Sequence, residues 1–136
     1  MVTKEKMIEL ADEARKIADK AYAPYSNFRV GAALLCEDGS IVTGTNVENR
    51  SYGLTICAER NAISTAVTQG KRRFLALAIS TPDSSAPVGP CGACRQVLSE
   101  FMPPDAPIRF ACNSSEFIDT TIGELLPHDS LHDLKK

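Results

Sequence analysis

Apolar residues recur along this chain with two different periods. Over residues 4–21, Met7, Leu10, Ala11, Ala14, Ile17, Ala18 and Ala21 fall on one helical stripe with charged residues opposite, and Pro24 ends the segment. Residues 28–36 and 41–47 are rich in small and β-branched apolar side chains. The Glu37-Asp38-Gly39-Ser40 turn between them predicts a hairpin. Residues 46–55 are polar and read as a loop. The helical period returns from Cys57 through Ala58, Ala62, Ile63, Ala66 and Val67, and Gly70 closes it. A short apolar run at 74–80 predicts a buried strand, and residues 81–90, with three prolines, a loop. A second helix begins at Cys91, turns Val97, Leu98 and Phe101 inward, and stops at Pro103-Pro104. Residues 108–112 predict another strand with Phe117-Ile118 as a short partner. Thr121-Ile122-Gly123-Glu124 forms a capping-box pattern ahead of a last short helix. Helices alternating with short strands predict one layered α/β domain over residues 1–136.

Composition narrows the partners. A chain of 136 residues is long enough to bury about 68% of its unfolded surface. Its net charge of −2 argues against a nucleic-acid platform, which usually carries a basic face. The charged start predicts no secretory signal, no apolar run predicts a membrane span, and the expected compartment is the cytoplasm. Five cysteines is an odd number, and in such a compartment it favours metal binding or catalysis over a disulfide framework.

The cysteines are not scattered. Cys57-Ala58-Glu59-Arg60 and Pro90-Cys91-Gly92-Ala93-Cys94-Arg95 bring three thiols, one carboxylate and two arginines to the starts of two predicted helices. Free N–H groups and the positive dipole end stabilise thiolates there, and zinc requires thiolates. Three sulfurs leave one position of a tetrahedral zinc open, which separates a catalytic site from a structural one. Two other readings stay open on spacing alone. Cys91-Gly92-Ala93-Cys94 has the form of a redox pair. A structural zinc would take its fourth ligand from Cys36, Cys112, His128 or His132. Arg60 and Arg95 each follow a cysteine-bearing motif, and one or both are expected to offset the third thiolate's charge by donating to sulfur.

Cys-x-Glu followed by Pro-Cys-x-x-Cys resembles the zinc deaminases of nucleobases. The likeness extends further. Tyr25-Ser26-Asn27-Phe28-Arg29-Val30-Gly31-Ala32-Ala33, Asn46-Val47-Glu48-Asn49, Cys57-Ala58-Glu59-Arg60 and Pro90-Cys91-Gly92-Ala93-Cys94-Arg95-Gln96 are similar, in order and spacing, to the small homotetrameric cytidine deaminases. The resemblance runs from about Tyr22 to Pro127. It implies a three-layer α/β/α fold around a mixed sheet of five strands, and one zinc per chain on Cys57, Cys91 and Cys94. It also implies a free pyrimidine nucleoside as substrate, with sites shared between subunits. In that family the residue matching Phe28 stacks on the base, and those matching Asn46 and Glu48 hold the ribose 3′-hydroxyl. The counterpart of Tyr52 reaches toward a neighbouring subunit's site, and Ala58 adjoins the substrate. Read without the resemblance, Phe28 is equally a core residue, and Asn46, Glu48 and Tyr52 are ordinary loop residues. The family's phenylalanine after Leu-Leu-Pro is missing, since Leu125-Leu126-Pro127 leads into His128-Asp129-Ser130-Leu131.

The implied reaction is hydrolytic deamination at cytosine C4. Zinc lowers the pKa of bound water to about 7 in favourable sites, and Glu59 would act as acid and base in turn.

Overall fold

The computed structural model describes residues 1–131 and 134. Its elements are α1 (Lys4–Ala18), β1 (Gly31–Cys36), β2 (Ile41–Thr45), α2 (Ala58–Thr68), β3 (Phe74–Ser80), α3 (Gly92–Phe101), β4 (Pro107–Ala111), β5 (Phe117–Thr121) and α4 (Ile122–Leu125), with a 3-10 turn at Tyr52–Leu54. The strands form one sheet in the order β2-β1-β3-β4-β5. Strands β3 and β4 run parallel, with α3 making the crossover between them; β1–β2, β1–β3 and β4–β5 are antiparallel.

Strand alternation sorts the core into two layers. Ala33, Leu35, Ala76 and Ala78 face α1, where Met7, Leu10 and Ala14 cover them. Their neighbours Ala32, Leu34, Leu77 and Ile79, with Ile108 and Phe110, face α2 and α3 and meet Ala62, Ala66, Leu98 and Met102. The result is the expected three-layer α/β/α arrangement around a mixed five-stranded sheet. Cys36 lies buried in the α2-facing layer as a small apolar side chain, whereas Cys112, just past β4, is buried with its thiol against Ser85 O, Ser114 Oγ and Glu116 O.

Element ends follow local chemistry. Thr3 caps α1 by accepting from the Lys6 N–H at 3.1 Å. Helix α1 stops at Ala18 rather than Ala21, because its last turn tightens into i→i+3 bonds from Lys20 and Ala21. Gly70, at φ +91°, closes α2 in a Schellman motif: its own N–H donates to Val67 O and the Lys71 N–H to Ala66 O. Thr121 caps α4 from the Glu124 N–H at 3.2 Å. Strand β1 starts at Gly31 rather than Phe28. Asn27, at φ +58°, turns the chain, and residues 28–30 are held mainly by side chains, with one backbone bond from the Asn46 N–H to Val30 O at 3.3 Å.

Candidate metal centre and active site

Both thiol motifs sit where a helix starts. Cys57 is the N-cap of α2 and Cys91 the N-cap of α3, and neither spends its side chain on capping. Cys94 lies in the first turn of α3 and is fully buried. Helix α2 can settle this close to the sheet because residue 44 is glycine. A Cβ there would stand 2.4 Å from the Ala62 nitrogen and 2.7 Å from the Ala58 oxygen. The chain just before Cys57 is held by bridge pairs, with Ile56 bonded to Val47 in both directions and Tyr22 bonded to Asn46 and Glu48.

The three sulfurs converge. Cys57 Sγ lies 3.8 Å from Cys91 Sγ, and Cys91 Sγ lies 3.4 Å from Cys94 Sγ. All three fall within 4.8 Å of one another and could hold a metal ion. Zinc–sulfur bonds of about 2.3 Å at a tetrahedral angle put two sulfurs about 3.8 Å apart, so the donor set fits zinc. All five cysteines are free thiols. Hydrogen bonding from Cys94 lowers the Cys57 thiol to about 5, with Arg60 and Cys91 adding to it. The same pairing pushes Cys94 up: its proton is held in the bond to Cys57, and burial disfavours a second thiolate there. A divalent cation would favour both thiolates. Among the other ligands weighed from sequence, Cys36 and Cys112 are in the core and His128 is exposed; His132 lies outside the described residues.

The two arginines part company. Arg60 Nη2 donates to Cys57 Sγ at 3.4 Å, and its Nε is buried without a partner. Arg95 instead donates from Nε to Pro90 O at 2.8 Å and from Nη1 to Leu125 O at 3.0 Å. The expected thiolate contact is therefore corrected for Arg95. Its planar fork spans two carbonyls and ties the residue before Cys91 to the end of α4.

Glu59 is only 4% exposed, and burial pushes its carboxyl up to about 7, with the Cys57 charge pushing the same way. Cys94 and Arg60 act on it in the opposite sense. A carboxyl buried beside three thiols, with acid and base forms of similar energy near neutral pH, is equipped to move protons.

The loop residues form one construction. Asn46 is buried, accepting from the Val30 N–H at 2.9 Å and donating to Phe28 O at 2.8 Å, which fixes its amide orientation. Glu48 Oε1 accepts from the Tyr25 and Ser26 N–H groups at 2.9 and 3.1 Å, while Oε2 accepts from the Ser26 hydroxyl. Those bonds, the Ser26 hydroxyl first, hold the Glu48 carboxyl below its ordinary value. Both residues thus brace the turn that presents Phe28, a bracing role that spacing could not reveal. Ala58 is buried and opens α2 with an N–H that has no intrahelical partner. Tyr52 is 76% exposed and touches only the edge of this construction, its ring 6.0 Å from that of Tyr25. Asp83, which no sequence motif marks, accepts three hydrogen bonds from Arg29.

A three-thiol metal centre with a buried carboxyl beside it, carried on helix starts against a mixed sheet, defines a zinc hydrolase of the deaminase kind. Comparison with known proteins agrees: the cytidine and deoxycytidylate deaminase zinc-binding region matches residues 4–109, and the chain belongs to that family. Cytidine deaminase of Halalkalibacterium halodurans is 48% identical over 118 residues, covering 87% of this chain and 89% of the relative. The crystal structure of cytidine deaminase from Burkholderia pseudomallei superposes with a TM-score of 0.85 at 44% identity, covering 89% of this chain and 96% of that one. A more distant relative, blasticidin-S deaminase of Bacillus cereus, is 32% identical over 127 residues, 88% of this chain and 89% of the relative. Among the described residues no helix is long and apolar enough to cross a membrane.

Proposed function

We infer that this chain hydrolyses the 4-amino group of cytidine and 2′-deoxycytidine, releasing ammonia and the uracil nucleoside, as a step of pyrimidine salvage. The observation that carries this reading is the buried Glu59 carboxyl set beside three sulfurs at zinc-compatible spacing. Cys57, Cys91 and Cys94 would hold one zinc per chain. Bound there, zinc supplies a Lewis acid that makes water nucleophilic near neutral pH. Glu59 takes a proton from the attacking water and delivers it to N3, which makes C4 electrophilic. It then takes the second proton from the hydroxyl now on C4 and passes it to the amine. The amine leaves as ammonia as the C4–N bond breaks and the C4 carbonyl forms, so one carboxyl serves as base and acid in turn. Arg60, against Cys57, offsets the third thiolate.

Phe28 stacks on the base. Asn46 and Glu48 take the ribose 3′-hydroxyl with what their bracing duties leave over. Asn46 keeps one amide N–H, and Glu48 keeps one lone pair on Oε2, after the bonds described above. One donor and one acceptor suit a hydroxyl, which accepts through oxygen and donates its proton. Tyr52, Leu54, Val47 and Tyr22 are all exposed apolar side chains on the loops around the site. That supports a homotetramer in which Tyr52 reaches a neighbour's substrate. The single domain would work in the cytoplasm on free nucleosides.

The test is loss of cytidine absorbance on a panel that adds deoxycytidine and a cytosine-bearing nucleoside antibiotic, with zinc quantified in the same samples. The likeness to blasticidin-S deaminase makes the antibiotic the second reading. Turnover of the antibiotic alone would select it, and zinc without any turnover would reject the enzyme. Cys91→Ser is expected to lose zinc and activity together, while Cys36→Ser keeps both.

A further inference from the structure

The Phe28 turn is held from three directions, and Asn46 and Glu48 account for only two. The third is Asp83, in the loop between β3 and α3. Its carboxylate accepts from the Arg29 backbone N–H at 2.8 Å, from Arg29 Nε at 3.0 Å and from Nη2 at 2.9 Å. The remaining end of the guanidinium, Nη1, donates to Asp19 Oδ1 at 3.1 Å, and Arg15 holds the same oxygen at 2.9 Å. A lone surface ion pair contributes little, since two long side chains must be ordered to form it. This one differs because the backbone N–H beside Phe28 joins the same carboxylate, and a backbone donor next to a pinned peptide has little freedom left to lose.

Asp83 is itself a fixed post. The Thr81–Ser84 turn is closed by the Ser84 N–H on Thr81 O at 3.1 Å. Thr81 is 1% exposed and grips Ala111 O at the end of β4 with both its N–H, at 3.0 Å, and its hydroxyl, at 3.1 Å. The Asn113 N–H on Ser84 O, at 2.9 Å, fastens the other side. Gly31 pairs with Ser80, so the Phe28 turn enters the sheet at the end where β3 leaves it toward Cys91. Asp83 therefore stands between the frame that carries the Cys91 ligand loop and the peptide that carries the Phe28 ring.

We propose that Asp83 is a positioning residue for the deamination: through Arg29 it sets where the Phe28 ring stands relative to the cysteine centre. The inference rests on the reading of Phe28 as the base-stacking residue. It acts on binding of the base, so its mark is on KM, with the proton chemistry of Glu59 untouched.

Four proteins decide it: Asp83→Ala, Asp83→Asn, Phe28→Ala and the Phe28→Ala/Asp83→Ala pair, each assayed for kcat and KM on cytidine and for zinc per chain. Asp83→Ala is expected to raise KM by roughly three- to tenfold at unchanged kcat and zinc, as when uniform binding is lost. Asp83→Asn keeps an oxygen for the Arg29 N–H and should fall between; it also serves if the alanine variant folds poorly. In the Phe28→Ala background, Asp83→Ala should raise KM no further, because its route to the substrate is gone. An unchanged KM in Asp83→Ala beside a raised one in Phe28→Ala overturns the positioning role and leaves the stacking reading standing. Additive effects in the double variant, or loss of zinc or kcat, overturn it as well. An unchanged KM in Phe28→Ala removes the stacking reading, and this inference with it.

Discussion

At the scale of single residues, this site separates holding charge from moving protons. Glu59 moves protons. Replacing it with glutamine preserves shape and the zinc ligands while removing the ionisable group. Glu59→Gln should keep one zinc per chain and lower kcat by about 10²–10⁴-fold, the range for a general acid–base group. Elemental analysis and steady-state kinetics on one preparation check it, and near-normal kcat would move the proton role elsewhere. Arg60 holds charge. Its guanidinium meets the one thiol that hydrogen bonds and charge draw well below the ordinary range. Arg60→Gln should therefore impair zinc retention or turnover, whereas Arg72→Gln should not. Arg72 bonds only to the Val67 and Lys71 carbonyls, among its described partners, at the far end of α2. Equal zinc content and activity in the two variants would remove the charge-offset role. The sequence distinguished these duties only in part. It placed Arg60 and Arg95 alike after a cysteine motif, yet i→i+3 geometry on α2 brings Arg60 back to Cys57 while Arg95 reaches across to α4.

Elements decide whether the residues meet at all, and the close contact that seats the site is between β2 and α2. Helix α2 carries Cys57 and Glu59, and it approaches β2 so closely that only a hydrogen fits on residue 44. Gly44→Ala would drive a methyl group into the α2 backbone at Ala62, which cannot rotate aside as a flexible side chain would. Overpacking costs about 3 kcal/mol at the upper end of its usual range. That corresponds to a fall in melting temperature of roughly 10 °C for a domain of this size. Differential scanning calorimetry of Gly44→Ala tests this, and a melting temperature within 2–3 °C of the parent, roughly under 1 kcal/mol, would mean α2 is free to shift. The elements themselves were largely legible: the helical periods at 4–21 and from Cys57 to Gly70 are strong, and the apolar run at 74–80 is short enough to read as a buried strand. What periodicity could not register is the stretch from Phe28 to Val30. It reads as strand, but beyond one backbone bond from Asn46 to Val30 its long-range partners are the Asn46 amide and the Asp83 carboxylate, contributed from 18 and 54 residues away. Long-range side-chain bonds of this kind have no local signature.

For the whole molecule the open question is how large a substrate the site admits, and the loop construction argues for a free nucleoside. Glu48 accepts three hydrogen bonds from the 25–26 turn and has one lone pair to spare. An ionised carboxylate can only accept, so the spare position needs a donor. A free 3′-hydroxyl supplies one, in a bond to a charged group worth roughly 1.5–3 kcal/mol. A 3′-phosphate or phosphodiester has no proton to offer, and it brings negative charge beside a carboxylate. The bonds that hold the Glu48 carboxyl below its ordinary value also settle the pH dependence. A depressed group stays ionised as pH falls until its folded pKa is reached, so discrimination should persist from pH 8 down to about pH 5. The net charge of −2 gives the chain no general attraction for a phosphate backbone to offset this. Comparing kcat/KM for cytidine, cytidine 3′-phosphate and a short cytosine-containing single strand is the measurement. Cytidine should exceed both others by at least about tenfold, as loss of one charged hydrogen bond requires. In Glu48→Gln the amide adds donors and removes the charge, so the gap to the 3′-phosphate should narrow even as cytidine turnover falls. Comparable rates on all three substrates, in the parent protein, would mean Glu48 leaves the 3′ position unguarded and serves only to brace the turn beneath Phe28.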